Sequence, residues 1–309
     1  MNGKTIRLYL VNGSPTDILT AEIINWTGKI IVTPRSKLAD LAKREEVRRT
    51  GVYCLVGPDP ENALRDVVYF GEGDNVLVRL TAHDKDETKD FWTRCAVVIS
   101  KDQNITKSHG RYLESRLIEI ANQADRAKIH NATNPPLPQL PEPDVADMEY
   151  FLGQLQLVLP VLGFNFLQPK PLVTPLAGDD TATDESPLFK LSVVGAVAKA
   201  REINGEFIVL KGSTARKEGL KSWTSYKALR DQLVEEGKLV DGPQPGLFVF
   251  TDNVAFSSPS ASGAVVNAGN INGRTAWKTE SGETYQEWHE MKLAKATPGD
   301  LYGDENREE

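Results

Sequence analysis

The stretch GVYCLVGPDPENALRDVVYFGEGDNVLVRLTAH at residues 51–83 decides the fold of the N-terminal half of this chain. It contains two apolar runs, at 51–57 and 66–73, separated by a loop that is punctuated by glycine and proline. Two short apolar runs on either side of such a loop predict a pair of antiparallel β-strands. The segment 75–83 spaces its leucines three residues apart after an Asp-Asn pair, which predicts a short amphipathic helix with a polar N-cap.

Further strands and helices extend this pattern on both sides. FWTRCAVVIS at 91–100 predicts a third strand, and Thr106 is a good N-cap for the long helix that follows it. On the N-terminal side, the alternating run at 5–11 and GKIIVTP at 28–34 predict additional strands. This order favours a small α+β domain with a central antiparallel sheet flanked by helices. The strand and helix patterns after residue 187 predict a second small α+β domain.

Proline-rich and irregular segments set the expected domain boundaries. NPPLPQLPEPD at 134–144 is proline-dense and is expected to form neither a helix nor a central strand. QPKPLVTPLAGDDTATDES at 168–186 has no periodicity and reads as a linker. The expected organisation is N-terminal strands and a helix packing on the core (1–45), the core domain (46–135), a proline-rich segment with an amphipathic helix (136–167), the linker (168–186), the C-terminal domain (187–295) and an acidic tail (296–309).

The composition is ordinary for a globular protein, with 40% hydrophobic and 26% charged residues. No apolar run approaches the roughly 20 residues that span a bilayer, and the N-terminus lacks the pattern of a signal peptide. We therefore expect a cytoplasmic protein that does not act in a membrane. Cys54 and Cys95 both fall in apolar runs, are too few for a zinc cluster, and are expected to be buried free thiols.

The charge distribution bears on nucleic-acid binding in two opposite ways. A net charge of −7 argues against tight, non-specific binding to nucleic acid. A group of bases nevertheless precedes the deciding stretch: Arg35, Lys37, Lys43, Arg44, Arg48 and Arg49. Such a group is either a local basic surface or a solvated face, and the sequence leaves both interpretations open.

Glu114 is an acid at an apolar position of the long helix. At about 100° per residue, Leu113, Leu117 and Ile120 belong to one apolar stripe. Glu114 falls inside that stripe. A carboxylate that faces a core is costly unless it is paired or bound to a metal ion. Glu114 is therefore either a metal ligand or one half of a buried salt bridge, for which Arg79 is the candidate partner.

Two tyrosines and two basic side chains precede Glu114. Tyr53 and Tyr69 occupy comparable places in the two predicted strands, where they are either core aromatics or reactive phenols. Arg79 and His83 are four residues apart and so share one face of the short helix. A guanidinium can hold a phosphate oxygen through its planar fork of donors, and an imidazole can relay a proton. The alternative for both is a solvated helix face.

These residues together resemble the signature of a known family. The series Gly51-Val52-Tyr53, Tyr69-Phe70-Gly71, Arg79, His83 and Glu114 resembles that of the GIY-YIG nuclease superfamily. Val and Phe replace the two isoleucines of the signature, which changes only apolar side chains. The resemblance covers residues 51–131, and the residues from Ser100 to Ala121 also resemble a subgroup that carries an extra C-terminal domain.

The resemblance implies a role for each residue. Tyr53 would be the general base on the attacking water, Tyr69 would hydrogen-bond the phosphate or position water, and Glu114 would bind the metal ion. Arg79 and His83 would act on the scissile phosphate. Asn131 is the candidate for the terminal asparagine of the signature, and Asn134 is its rival. The implied products carry 5′-phosphate and 3′-hydroxyl ends.

The metal expected at this site is a single divalent ion, Mg²⁺ or Mn²⁺. The sequence offers one acid, Glu114, with no second acid identified nearby, and a site for two metals would need more carboxylates. The residues expected to contact substrate are Gly71, Lys107, His109, Lys211, Arg216 and Lys217. For His109, a structural role at the helix start is as well supported as a functional one.

The C-terminal domain shows no catalytic motif. SPSASGAVVNAGNINGRTAWK at 258–278 resembles a domain of unknown function found in nucleases and restriction–modification proteins. Four basic residues of the C-terminal domain precede Trp223: Lys211, Arg216, Lys217 and Lys221. They form either a nucleic-acid surface or a solvated face beside a core aromatic. We expect this domain to select or position the substrate.

The sequence therefore predicts a metal-dependent DNA endonuclease, a phosphodiester hydrolase. The resemblance places it in restriction and phage defence or in DNA processing. Single- and double-stranded DNA are both open as substrates, and a homodimer is an open assembly state. The alternatives are a catalytically weak nucleic-acid-binding or regulatory protein on the same fold, and a nuclease that acts on RNA.

Overall fold

The two apolar runs of the deciding stretch form neighbouring antiparallel strands, as predicted. In the computed structural model, strand β4 (Gly51–Asp59) pairs with strand β5 (Asn62–Gly73), and Tyr53 lies opposite Gly71. The structure describes residues 3–60, 62–169, 186–219, 223 and 225–296. The chain divides into two compact units, Met1–Lys170 and Pro171–Glu309.

The first unit is built on a seven-stranded sheet. Its other strands are β1 (Ile6–Leu10), β2 (Leu19–Ile23), β3 (Gly28–Pro34), β6 (Arg94–Ser100) and β7 (Ala127–Ile129). The strand order is β1-β2-β3-β6-β4-β5-β7. Every pair is antiparallel except β5–β7, which is parallel. The strands of the predicted segment 1–45 are therefore part of the same sheet as β4 and β5.

Helices cover both faces of this sheet. They are α1 (Leu38–Leu41), α2 (Val76–Asp84), α3 (Lys107–Ala124) and α4 (Glu142–Val161). Side chains alternate between the faces of a strand. Cys54 and Phe70 pack with the apolar side chains of α3 and α4, while Tyr53 and Leu55 pack with those of α2. Each fully buried side chain of this size contributes roughly 1.5–3 kcal/mol to folding.

Polar caps fix where the two central helices begin. The Asn75 side chain accepts a hydrogen bond from the backbone N–H of Val78, 3.3 Å away, at the start of α2. Thr106 accepts a hydrogen bond from the His109 backbone at the start of α3, and the His109 ring accepts one from the Thr106 backbone. These caps satisfy helix N–H groups that would otherwise lack partners.

The second unit contains two smaller sheets. One has the order β14-β10-β9-β8 and the other β11-β13-β12. The strands are β8 (Phe189–Val193), β9 (Ala196–Ile203), β10 (Glu206–Val209), β11 (Thr214–Arg216), β12 (Leu239–Asp241), β13 (Leu247–Phe250) and β14 (Val254–Phe256). The helices are α5 (Lys227–Glu235), α6 (Pro259–Asn267), α7 (Gly273–Ala276) and α8 (Tyr285–Ala296). The predicted α+β class with a second small α+β domain is confirmed.

An aromatic cluster holds the second unit together. Phe207 lies 5.2 Å from Trp277 and 5.6 Å from Tyr285 between ring centroids. The buried Trp277 indole N–H donates to the carbonyl of Pro259 and to the hydroxyl of Ser262, both at 3.1 Å. Because its N–H group has hydrogen-bond partners, Trp277 is buried without leaving a polar group unsatisfied in the core.

Two predicted segments fall almost entirely outside the described residues: the linker 168–186 and the acidic tail 296–309. The boundary between the two units, after Lys170, lies within that predicted linker. Within the part of the chain that the structure describes, no helix combines the length and apolar character needed to cross a membrane.

Candidate active site

Tyr53 and His83 form a buried pair on the α2 face of the sheet. The Tyr53 hydroxyl lies 2.7 Å from Nε2 of His83, within hydrogen-bonding distance. Gly71 makes room for this phenol, because a Cβ atom at Gly71 would lie 2.3 Å from the Tyr53 hydroxyl oxygen. The predicted substrate contact at Gly71 is thus a position where the close approach of a side chain requires glycine.

Burial determines the protonation states of this pair. It raises the pKa of Tyr53 above its ordinary value, and the neighbouring Tyr69 adds to the increase, while Arg79 opposes it. Burial lowers the pKa of His83 to about 4, and the charges of Lys89 and Arg79 contribute. At neutral pH the phenol is protonated and the imidazole is neutral, so one proton joins Tyr53 and Nε2 of His83: Tyr53 donates it when the imidazole carries its proton on Nδ1, and accepts it in the other tautomer.

Tyr69 borders the same pair. Its ring centroid lies 5.0 Å from that of His83 and 6.5 Å from that of Tyr53. Lys89 places its ammonium group 5.0 Å from the Tyr69 ring centroid, and the ring of His130 lies 6.4 Å away. Sequence reasoning missed Lys89 and His130, because both lie outside the signature series and reach the site only through folding.

Arg79 acts on a residue from each side of the sheet, Tyr53 on the α2 face and Glu114 on helix α3. Gly73 leaves space for its stem, since a Cβ atom there would lie 2.7 Å from Cγ of Arg79. The charge of Arg79 opposes the burial-driven rise in the pKa of Tyr53 and in that of Glu114. Arg79 is therefore close enough to Tyr53 and to Glu114 for its charge to act on both.

Glu114 has a second acid beside it. Burial raises the pKa of Glu114 to about 7, with a further increase from the charge of Glu72, while Arg79 and Arg111 oppose the rise. No second acid was expected near Glu114, and Glu72 corrects that expectation. Glu72 immediately follows Gly71 and, by strand alternation, projects from the face that α3 covers. The alternation of side chains along this strand is the feature of the sequence from which Glu72 could have been predicted on the α3 face.

Asn131 fixes the backbone of β5. Its side-chain amide donates to the carbonyl oxygen of Phe70 and accepts from the Phe70 N–H, each at 2.9 Å. This clamps β5 between Tyr69 and Gly71, so the contacts of Asn131 are structural. Its rival Asn134 lies 3.5 Å from the hydroxyl of Ser115.

The predicted contacts at the start of α3 are engaged within the protein. Lys107 forms an ion pair with Asp74 at 2.8 Å, on an exposed surface. His109 takes part in the cap with Thr106, and its Nε2 lies 3.4 Å from the Asp144 carboxylate. His109 thus has the helix-start role that the sequence left open.

Carboxylates neutralise much of the basic group that precedes β4. Arg35 pairs with Asp84 and with Asp90, each at 2.8 Å. The other pairs are Lys37–Asp17, Lys43–Asp40, Arg44–Glu46 and Arg48–Glu45. This surface is therefore closer to a charge-balanced face than to a basic nucleic-acid surface.

Comparison with known proteins finds a family match within the second unit. Residues 189–289 match the family described as Domain of unknown function (DUF4357). The predicted resemblance of this part of the chain to a domain of unknown function is confirmed. Searches of curated proteins and of solved structures found no match, so the GIY-YIG resemblance of residues 51–131 stays a prediction.

The predicted basic contacts of the DUF4357 domain differ in their surroundings. Lys217 pairs with Asp241 at 2.7 Å, and Arg216 donates to the carbonyl oxygen of Asn267. Lys211 and Lys199 line a cavity of about 410 Å³. Lys211 is therefore the predicted contact in this domain that borders an open space.

Sequence reasoning missed Arg230, which is 6% exposed. Its guanidinium carbon lies 5.2 Å from the ring centroid of Trp223 and 5.1 Å from that of Phe248. Burial lowers the pKa of this guanidinium. A cation held over two aromatic rings organises the core around Trp223.

Proposed function

We propose that this chain is a metal-dependent endonuclease that hydrolyses phosphodiester bonds in DNA with a single divalent ion. The observation that carries the proposal is the convergence of the residues predicted from the signature. Tyr53 hydrogen-bonds His83, Arg79 acts on both Tyr53 and Glu114, and Tyr69 borders the imidazole. Isolated core aromatics would not require a guanidinium and a half-buried carboxylate beside them.

The donor groups fit a hard divalent ion. Glu114 is a carboxylate whose pKa is raised to about 7, and one carboxylate oxygen of Glu72 is buried with no hydrogen-bond partner among the described residues. No group of three or more His, Cys, Asp or Glu side chains in that part of the chain is arranged to hold a metal. A Mg²⁺ or Mn²⁺ ion bound here would keep several waters and would offset negative charge on the phosphate.

The protein's own residues would position the phosphate and move the proton. Arg79 presents donors to a non-bridging phosphate oxygen. A water beside the phosphate gives its proton to the Tyr53 oxygen as the Tyr53 proton passes to Nε2 of His83. The water oxygen bonds to phosphorus, the bond to the 3′ oxygen breaks, and the departing 3′ oxygen takes a proton from solvent, which leaves the 5′-phosphate and 3′-hydroxyl ends expected from the resemblance.

We assign substrate selection to the DUF4357 domain, through the cavity that Lys199 and Lys211 line. The setting that we propose is restriction, phage defence or DNA processing in the cytoplasm, where the buried free thiols of Cys54 and Cys95 would stay reduced. A homodimer is one candidate assembly. Replacing both lysines by alanine should change binding or substrate choice, and unchanged affinity for every substrate would reject this assignment.

The decisive experiment is a cleavage assay with matched variants. Single- and double-stranded DNA and RNA are incubated with Mg²⁺, Mn²⁺ or EDTA. Glu114→Gln and Tyr53→Phe should each reduce cleavage by about 10²-fold or more. Glu119→Gln on the same helix and Tyr150→Phe on an exposed surface should not. Cleavage of none of the substrates, or cleavage unaffected by Glu114→Gln, would refute the proposal.

The same assay separates the alternatives. Cleavage of RNA in preference to DNA would identify a ribonuclease on this fold. Binding without cleavage would identify a nucleic-acid-binding or regulatory protein. The charge-balanced surface before β4 does not favour binding as the sole function, because a protein that only binds nucleic acid depends on unpaired basic side chains.

A further inference from the structure

Glu72 carries a carboxylate oxygen that the protein leaves unsatisfied. Oε2 of Glu72 is buried and has no hydrogen-bond partner in the described part of the chain. A buried polar group without a partner is destabilising, and more so when it is charged. Native structures keep few such groups, and each one calls for an explanation such as an ion or a water.

The position of Glu72 directs this oxygen toward α3. Glu72 lies opposite Val52 in the β4–β5 pair, on the face that α3 covers. A Cβ atom built at Gly110 of α3 would lie 3.6 Å from Oε2. Glycine at that position therefore leaves a small space between the strand and the helix, next to the unsatisfied oxygen.

Glu114 reaches the same space from the next turn of α3. It is four residues after Gly110 and so stands on the same side of the helix. Helical side chains lean back over the preceding turn, which carries the Glu114 carboxylate toward Gly110 and Glu72. The charge of Glu72 acts on Glu114, as expected if the two carboxylates are close.

A purely structural ion pair does not account for Glu72. The nearest cation contact joins Oε1, not Oε2, to Nε of Arg111 at 3.7 Å. That distance is too long for a hydrogen bond, and the Arg111 side chain is 60% exposed. Exposed pairs of this kind contribute little to stability. The buried oxygen remains without a partner whether or not Arg111 is present.

We propose that Glu72 is a second carboxylate ligand, beside Glu114, for one divalent cation bound between β5 and α3. This inference rests on the proposed function, and it adds a metal ligand that the signature resemblance does not supply. Two carboxylates from facing elements give a hard cation two fixed oxygen ligands. Gly110 keeps the space between them open, and waters complete the coordination.

The test measures Mn²⁺ binding to the full chain without any nucleic acid, by electron paramagnetic resonance of free Mn²⁺. The unsubstituted protein should bind one ion. Glu72→Gln and Glu114→Gln should each weaken binding by at least about tenfold, and the double variant should bind none. Glu119→Gln removes the same charge from α3 and should leave binding unchanged. Circular dichroism of every variant checks that the fold is intact.

A further variant separates metal binding from ion pairing. If Glu72 serves only as the partner of Arg111, then Arg111→Gln should weaken Mn²⁺ binding as much as Glu72→Gln does. The proposal expects the opposite, because loss of a nearby positive charge should leave Mn²⁺ affinity equal or greater.

The outcomes distinguish this inference from the proposed function. Unchanged Mn²⁺ affinity in Glu72→Gln, or no Mn²⁺ binding by the unsubstituted protein, overturns the role of Glu72. Cleavage that depends on a divalent ion in the same preparation would still support the nuclease. Binding that depends on Glu72 and Glu114, without cleavage of any nucleic acid, supports the metal site and refutes the nuclease.

Discussion

Replacing Gly71 by alanine should disrupt the buried pair of Tyr53 and His83. The added Cβ atom would lie 2.3 Å from the Tyr53 hydroxyl oxygen and 2.5 Å from Cζ. Ordinary van der Waals contact begins at about 3.5 Å, so the phenol has to move by about 1 Å. Tyr53 is 1% exposed and has little free space around it. A movement of that size breaks the 2.7 Å hydrogen bond to His83.

The expected cost of Gly71→Ala has two contributions. Overpacking of a core costs about 1–3 kcal/mol, and the lost hydrogen bond costs about 0.5–1.5 kcal/mol. Together they lower the free energy of unfolding by about 2–4 kcal/mol. For a unit of this size, each kcal/mol shifts the Tm by about 2–4 °C, so the Tm should fall by roughly 5–15 °C.

The assay is differential scanning calorimetry of the full chain, with Gly153→Ala as the matched control. A Cβ atom at Gly153 in α4 meets no atom within 4 Å, and alanine in a helix is favoured over glycine by about 0.5–1 kcal/mol. The control should therefore raise the Tm of the same transition. A Gly71→Ala Tm equal to that of the unsubstituted protein would refute the steric reasoning.

Three further predictions follow from the site. Gly73→Ala should lower the free energy of unfolding by about 1–3 kcal/mol, because its Cβ would lie 2.7 Å from Cγ of Arg79, which has to move. That movement displaces the guanidinium, so cleavage should fall by about 10²-fold, and full activity would contradict the role of Arg79. The carboxyl of Glu114 has a pKa of about 7, raised from 4.5, so its contribution to the free energy of unfolding is fully present below pH 4.5 and is lost as the pH rises through 7. Between pH 5 and pH 8 the unsubstituted protein should lose on the order of 1–2 kcal/mol of stability through Glu114, after allowance for solvent screening. Glu114→Gln should remove this loss when urea unfolding is compared at the two pH values. The same pH dependence in the variant would contradict the raised pKa of Glu114. Asn131→Ala should remove both hydrogen bonds to the Phe70 backbone. The free energy of unfolding should fall by about 1–3 kcal/mol, and hydrogen exchange at the Phe70 amide should become faster. Exchange as slow as in the unsubstituted protein would show that Asn131 does not clamp β5.

Local pattern predicted the elements that position the site. The apolar runs at 51–57 and 66–73 became β4 and β5, and Thr106 caps α3 as expected. These features depend on residues within a few positions of one another, and side-chain periodicity and capping are properties of that local scale. The parallel pairing of β7 with β5 was not predicted, because it depends on how α3 returns the chain to the sheet edge.

The roles of individual side chains at the site followed a different rule. Asn131 was predicted as a reagent, yet its amide holds the backbone of a strand 61 residues away in sequence. The sequence left open whether the basic residues before β4 form a nucleic-acid surface or a solvated face, and in the structure most of them meet carboxylates, as Arg35 meets Asp84. Composition and spacing show which charged residues the chain contains, but they do not show which of these residues contact each other in the folded protein.

By itself, the sequence determined the α+β class, the strand pair that carries Tyr53 and Tyr69, and the helix that carries Glu114. Those follow from hydrophobic periodicity, which acts over a few residues. Only the tertiary structure decided that Tyr53 hydrogen-bonds His83 and that Glu72 lies beside Glu114. Such contacts join residues 30 or more positions apart, and they are set by how the helices pack on the sheet, which no local pattern specifies.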